Sequence, residues 1–155
     1  MDFQLKLISL FNRQTLIIMQ NENGPCPLIA VANVLLLRGN ISIHSDHSVI
    51  TLNRLIEIIA DYILSQSNNS LDIDPMRQQQ INDVLTLLPL LGQGLDLNVK
   101  FHEVIQFEFT KELSVFDSLR IPIYHGWVRL LCINYYIILI LKFIRIYICY
   151  VVDRS

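Results

Sequence analysis

The feature that most constrains the fold is an almost unbroken apolar run from Pro27 to Leu37, entered through Gly24-Pro25-Cys26-Pro27 and closed by Gly39. Proline is tolerated in the first turn of a helix and glycine supplies the left-handed residue just past the last, so the run reads as a helix. Apolar on most sides, it has to be a central helix with other elements packed around it. Ahead of it, Thr15-Leu16-Ile17-Ile18-Met19 reads as a strand, and Phe3, Leu5 and Leu7 alternate with polar residues as an earlier one. Asn12-Arg13-Gln14 is the expected turn, which makes an N-terminal hairpin that feeds the Cys26 loop.

A second helix is signalled by Leu52, Leu55, Ile56, Ile59, Tyr62 and Ile63 at spacings of 3 to 4 after Thr51, a suitable cap, and Ser65 to Ser70 reads as a polar linker. Asp74-Pro75 opens a third helix with Ile81, Val84, Leu85 and Leu88 on one face, expected to end at Pro89 and Gly92. Leu97 to Phe101 and Val104 to Phe109 read as strands, and Val115 to Leu119 as a short helix.

Cys26 sets a thiol among turn residues ahead of the apolar helix. The positive end of a helix dipole favours a thiolate, and its free N–H groups point at any oxyanion placed there. A lone cysteine is more often a small buried hydrophobe. Gln20 tilts the balance: it stands where strand passes into loop, six residues before Cys26, and a glutamine amide there can donate to an oxyanion.

At full length, Gln20 to Asn33 (QNENGPCPLIAVAN) resembles the active-site segment of the MINDY family of deubiquitinases, cysteine peptidases that trim polyubiquitin. Leu87-Leu88-Pro89 with Gly94 to Phe101 (GLDLNVKF) resembles a second family segment, and Ser114-Val115-Phe116-Asp117 with Ile121 to Trp127 (IPIYHGW) a third, in the family's order. The resemblance implies an α+β fold of the papain-like cysteine peptidase type, Cys26 as nucleophile, and Gln20 with the Cys26 backbone N–H as oxyanion donors. It further implies that Leu97 and Trp127 help to hold ubiquitin, that lysine-48-linked polyubiquitin is the substrate, and that no cofactor or metal is needed.

The resemblance covers about Phe3 to Trp127. Family members take their catalytic histidine from an Asn-His-Phe-type segment that has no counterpart in this sequence. His44 and His47 flank Asp46 in a polar loop, where a solvated loop outweighs a metal site; His102 beside Glu103 reads as a surface pair; His125 belongs to a family motif other than the catalytic one. Residues 1–127 are therefore read as a partial deubiquitinase domain and 128–155 as a hydrophobic tail outside the family pattern.

The tail lacks Gly and Pro and is rich in Ile, Leu, Tyr and Phe. Of the 12 basic and 14 acidic residues, it holds Arg129, Lys142, Arg145 and Arg154 against Asp153 alone, so it is near +3 and the body near −5. Its longest charge-free stretch, Leu130 to Leu141, is 12 residues, short of the roughly 18 to 20 that span a bilayer. A membrane anchor over 130–152 is therefore disfavoured, and the β-branched and aromatic content reads equally as strand. Val128-Arg129 can be encoded by a sequence that begins like an intron donor site, so translated intron is the expected origin of the tail.

A hydrophobic content of 52% with 17% charged residues argues against disorder, and the net charge of −2 gives no reason to expect nucleic acid. The acidic start Met1-Asp2 precedes no apolar signal segment, and three cysteines form no disulfide framework, which makes a reducing cytoplasmic setting the expectation. Two function classes stay open: an isopeptidase impaired for want of a histidine, and an inactive fragment that binds ubiquitin, with membrane association through the tail as a weaker variant.

Overall fold

The computed structural model describes residues 1–20, 27–44, 46–68, 74–95, 97–100, 102–130, 133–140 and 148–152, with side chains described up to 125 except at 68. The chain divides into two compact units, Met1–Leu95 and Asp96–Ser155.

The first unit opens with the expected hairpin, β1 (Asp2–Leu10) and β2 (Arg13–Ile18), paired antiparallel from Leu5↔Ile18 to Leu10↔Arg13. Its turn is Phe11-Asn12 rather than Asn12-Arg13-Gln14. Both central residues have positive φ, 48° and 62°, which a two-residue loop needs if its twist is to match that of the strands. Asn accepts this conformation readily and Phe does not. Replacing the pair with Asn-Gly (Phe11→Asn with Asn12→Gly) is expected to raise stability by about 0.5–1 kcal/mol, read as a higher urea midpoint at constant slope.

The hairpin outruns the core: Phe3 is buried, but Leu7 and Phe11 are exposed. A short strand, β3 (Val49–Thr51), pairs with the start of β1, giving the sheet order β2-β1-β3 with β2 at one edge.

Helix α1 (Pro27–Arg38) follows the apolar run, and nine of its twelve residues are buried. It packs on β2 and touches both later helices of the unit, as a central helix should. Its end is a Schellman motif: Gly39 at φ +76° donates to Leu36 O at 3.0 Å and Asn40 donates to Leu35 O at 2.9 Å. The Arg13 guanidinium donates to the Leu36 and Leu37 carbonyls, so the hairpin also caps the helix. A Cβ at position 39 would meet that guanidinium at 2.5 Å, a contact the flexible arginine can relieve, so the positive φ is what calls for glycine there.

Helix α2 (Leu52–Asn68) begins as expected, with Thr51 Oγ1 accepting from the Arg54 N–H at 3.2 Å. It buries Leu55, Ile59 and Ile63. It runs through most of the stretch read as a linker, where Ser65 and Ser67 satisfy their hydroxyls on the Tyr62 and Leu64 carbonyls and Ser67 is buried. Helix α3 (Pro75–Leu91) is capped by Asp74, whose carboxylate accepts from the Met76 N–H at 3.2 Å. It passes through Pro89 instead of ending there. A proline this close to the end removes one internal hydrogen bond, while the last turn still buries Leu88 and Leu91.

The second unit starts with residues that do not form the two expected strands. Among the described residues there is a bridge, Val99↔Phe107, supported by Lys100 N–H to Gln106 O at 2.9 Å and Glu108 N–H to Asn98 O at 2.8 Å. The apolar residues there, Val104, Ile105 and Phe109, are at least half exposed and line no core face, which is why their pattern misled. Helix α4 (Leu113–Ser118) buries Val115 and Phe116, close to where the sequence puts it.

An antiparallel sheet β4-β5-β6 completes the unit: β4 (Ile123–Leu130), β5 (Ile133–Ile140) and β6 (Ile148–Val152). Of the two readings of the hydrophobic tail, strand is the one adopted by its described residues, and β4 runs on from Trp127 through Val128 without a break. Among the described residues, no helix is long and apolar enough to cross a membrane. The whole is mixed α and β, with antiparallel sheets and several helices.

Candidate active site

The site is built from the end of β2 and the start of α1. Strand β2 ends at Ile18, the Met19 N–H still donates to Gln4 O at 2.8 Å, and Gln20 follows with its side chain exposed. Gln20 thus lies just past the end of the strand, two residues beyond Ile18.

Helix α1 begins at Pro27, the residue after Cys26 in sequence; Cys26 itself lies outside the described residues. The first turn of α1 carries no acidic side chain. Nothing within the turn offsets the positive end of the helix dipole, which favours an anion placed before it.

One residue that the sequence reading passed over ties these two elements together. Asn33, half-buried in mid-α1, accepts from the Ile18 N–H at 2.7 Å and donates to the Ile18 carbonyl at 2.9 Å. The signal was available: it is the lone polar side chain in the apolar run, and polar groups at buried positions are held by hydrogen bonds. Removing it strands two backbone groups at a partly covered edge, at a cost of about 1–3 kcal/mol.

At the other end of the helix, desolvation holds the Arg38 guanidinium below the ordinary arginine value, with Tyr62 acting in the opposite sense. An arginine stays charged through the working pH range, so this sets no pH dependence.

Two histidines fall in each unit. His44 Nδ1 lies 3.3 Å from Asp46 Oδ2 with both side chains more than three-quarters exposed, a solvated loop as expected. His102 is exposed, and Glu103 accepts from Gln106 Nε2 at 3.3 Å instead of pairing with it. His125, in the second unit, is buried at 3% exposure; its N–H donates to Val104 O at 2.7 Å and its ring meets Phe107 edge-on at 5.1 Å. Among the described residues, no group of three or more His, Cys, Asp or Glu is arranged to hold a metal ion.

The two residues expected to hold ubiquitin both fall in the second unit. Leu97 is half-buried, and Trp127 lies on β4 opposite Tyr136, its side chain outside the described residues.

The family model for MINDY deubiquitinase matches residues 1–130. Ubiquitin carboxyl-terminal hydrolase MINDY-1 of Bos taurus is 45% identical over 125 residues, which is 79% of this chain and 27% of that protein. The MINDY-1 of Danio rerio is 41% identical over 125 residues, 79% of this chain and 24% of its own length. MINDY-2 of Homo sapiens is 42% identical over 127 residues, 81% of this chain and 20% of its own length. The chain thus spans about a quarter of the length of the relatives it matches. With a family match over most of its residues and relatives above 40% identity, the chain belongs to the MINDY deubiquitinase family.

Proposed function

We propose that the chain carries the nucleophile half of a papain-like, cysteine-type deubiquitinase acting on lysine-48-linked polyubiquitin, with residues 1–127 as a partial catalytic domain and 128–155 as an added tail. The observation that carries the reading is the juncture between sheet and helix: β2 delivers Gln20 to an exposed position, and α1 opens directly after Cys26 with no acidic side chain in its first turn. Family membership supplies the chemical context. Leu97 and Trp127 are the proposed ubiquitin contacts, and the free thiol suits a reducing, cytoplasmic setting.

In this mechanism the Cys26 thiolate attacks the isopeptide carbonyl carbon. A C–S bond forms and the carbonyl π pair moves to oxygen, where the Gln20 amide and the Cys26 N–H donate to the developing charge. Collapse breaks the C–N bond, and the lysine amine must take up a proton as it leaves. Water then hydrolyses the thioester. No cofactor takes part.

The weak step is proton delivery. His44 and His47 lie on an exposed loop, His102 is exposed, and His125 is buried on β4, so the histidines of these 155 residues support the second reading, ubiquitin capture with little turnover.

The test is labelling by a ubiquitin whose C-terminus carries a vinyl ester. Wild type, Cys132→Ala and Cys149→Ala are expected to gain one ubiquitin at equal rates, and Cys26→Ala none. Equal labelling of Cys26→Ala would assign the reactive thiol elsewhere and end the proposal.

A further inference from the structure

Ile18 and Leu5 face each other across the β1–β2 ladder. The Leu5 N–H goes the other way, to Ser48 O at 2.9 Å, while the next residue along β2, Met19, donates back to β1. In an antiparallel ladder, backbone groups alternate between the partner strand and the outer side, so the Ile18 N–H and C=O point out from the free edge of β2. The Asn33 carboxamide meets both, accepting from one and donating to the other at 2.7 and 2.9 Å. It behaves as one residue of a missing fourth strand. A carboxamide offers an acceptor and a donor on one short planar group, which a hydroxyl, a carboxylate or an ammonium cannot match in this arrangement.

We propose that Asn33 is a positioning residue for the chemistry of Cys26: by clamping β2 to α1 it fixes where the Gln20 amide stands relative to the start of the helix. The proposal rests on the reading of Cys26 and Gln20 given above. Both lever arms are short. From Ile18 to Gln20 is at most about 7 Å of extended chain, and from Asn33 to Pro27 is about 9 Å of helix. A shift at the clamp is therefore passed on to the amide. An oxyanion donor works only within about 2.7–3.1 Å of the oxygen it serves, so a displacement near 1 Å removes most of its effect. Among the described residues Asn33 bonds to the Ile18 backbone, so the proposed role acts through Gln20.

The experiment uses the 155-residue chain as wild type, Asn33→Asp, Gln20→Ala and the double variant. Aspartate keeps the shape of asparagine and still accepts from the Ile18 N–H, but sets a second oxygen against the Ile18 carbonyl. Amide hydrogen exchange and the side-chain NH₂ resonances of Gln20 are read by NMR. In Asn33→Asp, Ile18 is expected to exchange at least about tenfold faster and the Gln20 resonances to move, while the amides of Leu35 and Leu55 keep wild-type protection. Where aspartate costs the fold, Asn33→Ser serves in its place.

The second readout is the affinity for ubiquitin C-terminal aldehyde, which forms a reversible hemithioacetal: sulfur bonds to the aldehyde carbon and the thiol proton passes to the oxygen. Asn33→Asp and Gln20→Ala are each expected to weaken binding by about ten- to a hundredfold, and the double variant to be no weaker than Gln20→Ala alone. Additive losses, or Gln20 resonances that do not move, overturn the positioning role. A wild type that forms no adduct refutes the peptidase reading, and the Gln20 resonances then decide on Asn33: unmoved, they refute the clamp, and moved, they uphold it.

Discussion

On a gel assay of lysine-48-linked chains, the 155-residue polypeptide is expected to show turnover about 10²–10⁴-fold below that of a family member carrying the catalytic histidine, the usual worth of a general acid–base. Labelling of a thiol needs only partial ionisation, access and some affinity for ubiquitin. Turnover also needs a proton for the departing lysine amine, and His44, His47, His102 and His125 are placed in an exposed loop, a surface turn and a buried strand. Adding imidazole to the assay is expected to restore part of the rate, because on the proposed reading a diffusible base can deliver the proton that the leaving amine needs. Efficient cleavage by wild type that disappears in Cys26→Ala would show instead that one of the four histidines serves as the base.

The second large effect is on stability. Leu35→Ala is expected to cost about 2–5 kcal/mol, the range for truncating a fully buried leucine where the surroundings cannot collapse. Leu35 is fully buried on a helix that packs against β2, α2 and α3, and its carbonyl accepts the Asn40 bond that closes the helix. Against a total stability of about 5–15 kcal/mol, that loss approaches unfolding. Urea titration followed by circular dichroism reads it directly. A midpoint within experimental error of wild type would mean that α1 is not the centre of the unit.

Much of the first unit was legible because its signals are local. The hairpin, the apolar helix, the Thr51 and Asp74 caps and Gly39 each follow from residue types within a few positions of one another. The misses arose where another interaction overrode the local signal. The turn moved to Phe11-Asn12 because the register of β1 on β2 leaves just two residues for it. Burial of Ile63 and Ser67, with the serine hydroxyls satisfied within the helix, accompanies α2 through a polar stretch, and buried Leu91 drew α3 past Pro89.

Residues 97–109 look like strands in sequence but bury too little to become them. In the tail, β-branched and aromatic content suited helix and strand alike, and pairing across β4, β5 and β6 is a long-range choice that no window of sequence contains. The site was read in the same uneven way. Gln20 and Cys26 stand out by spacing and by resemblance, whereas Asn33 shows in the sequence only as a lone polar residue in an apolar run, and its partner, fifteen residues earlier at the edge of β2, is a long-range choice.

The most direct measurement is a crystal structure of the chain joined through Cys26 to ubiquitin aldehyde. The account predicts a single C–S bond at Cys26, immediately before the first turn of α1, with the former aldehyde oxygen within about 2.7–3.1 Å of Gln20 Nε2 and of the Cys26 N–H. Cys26 sealed inside the helix away from ubiquitin, or Gln20 turned to the opposite face of the sheet, would contradict it.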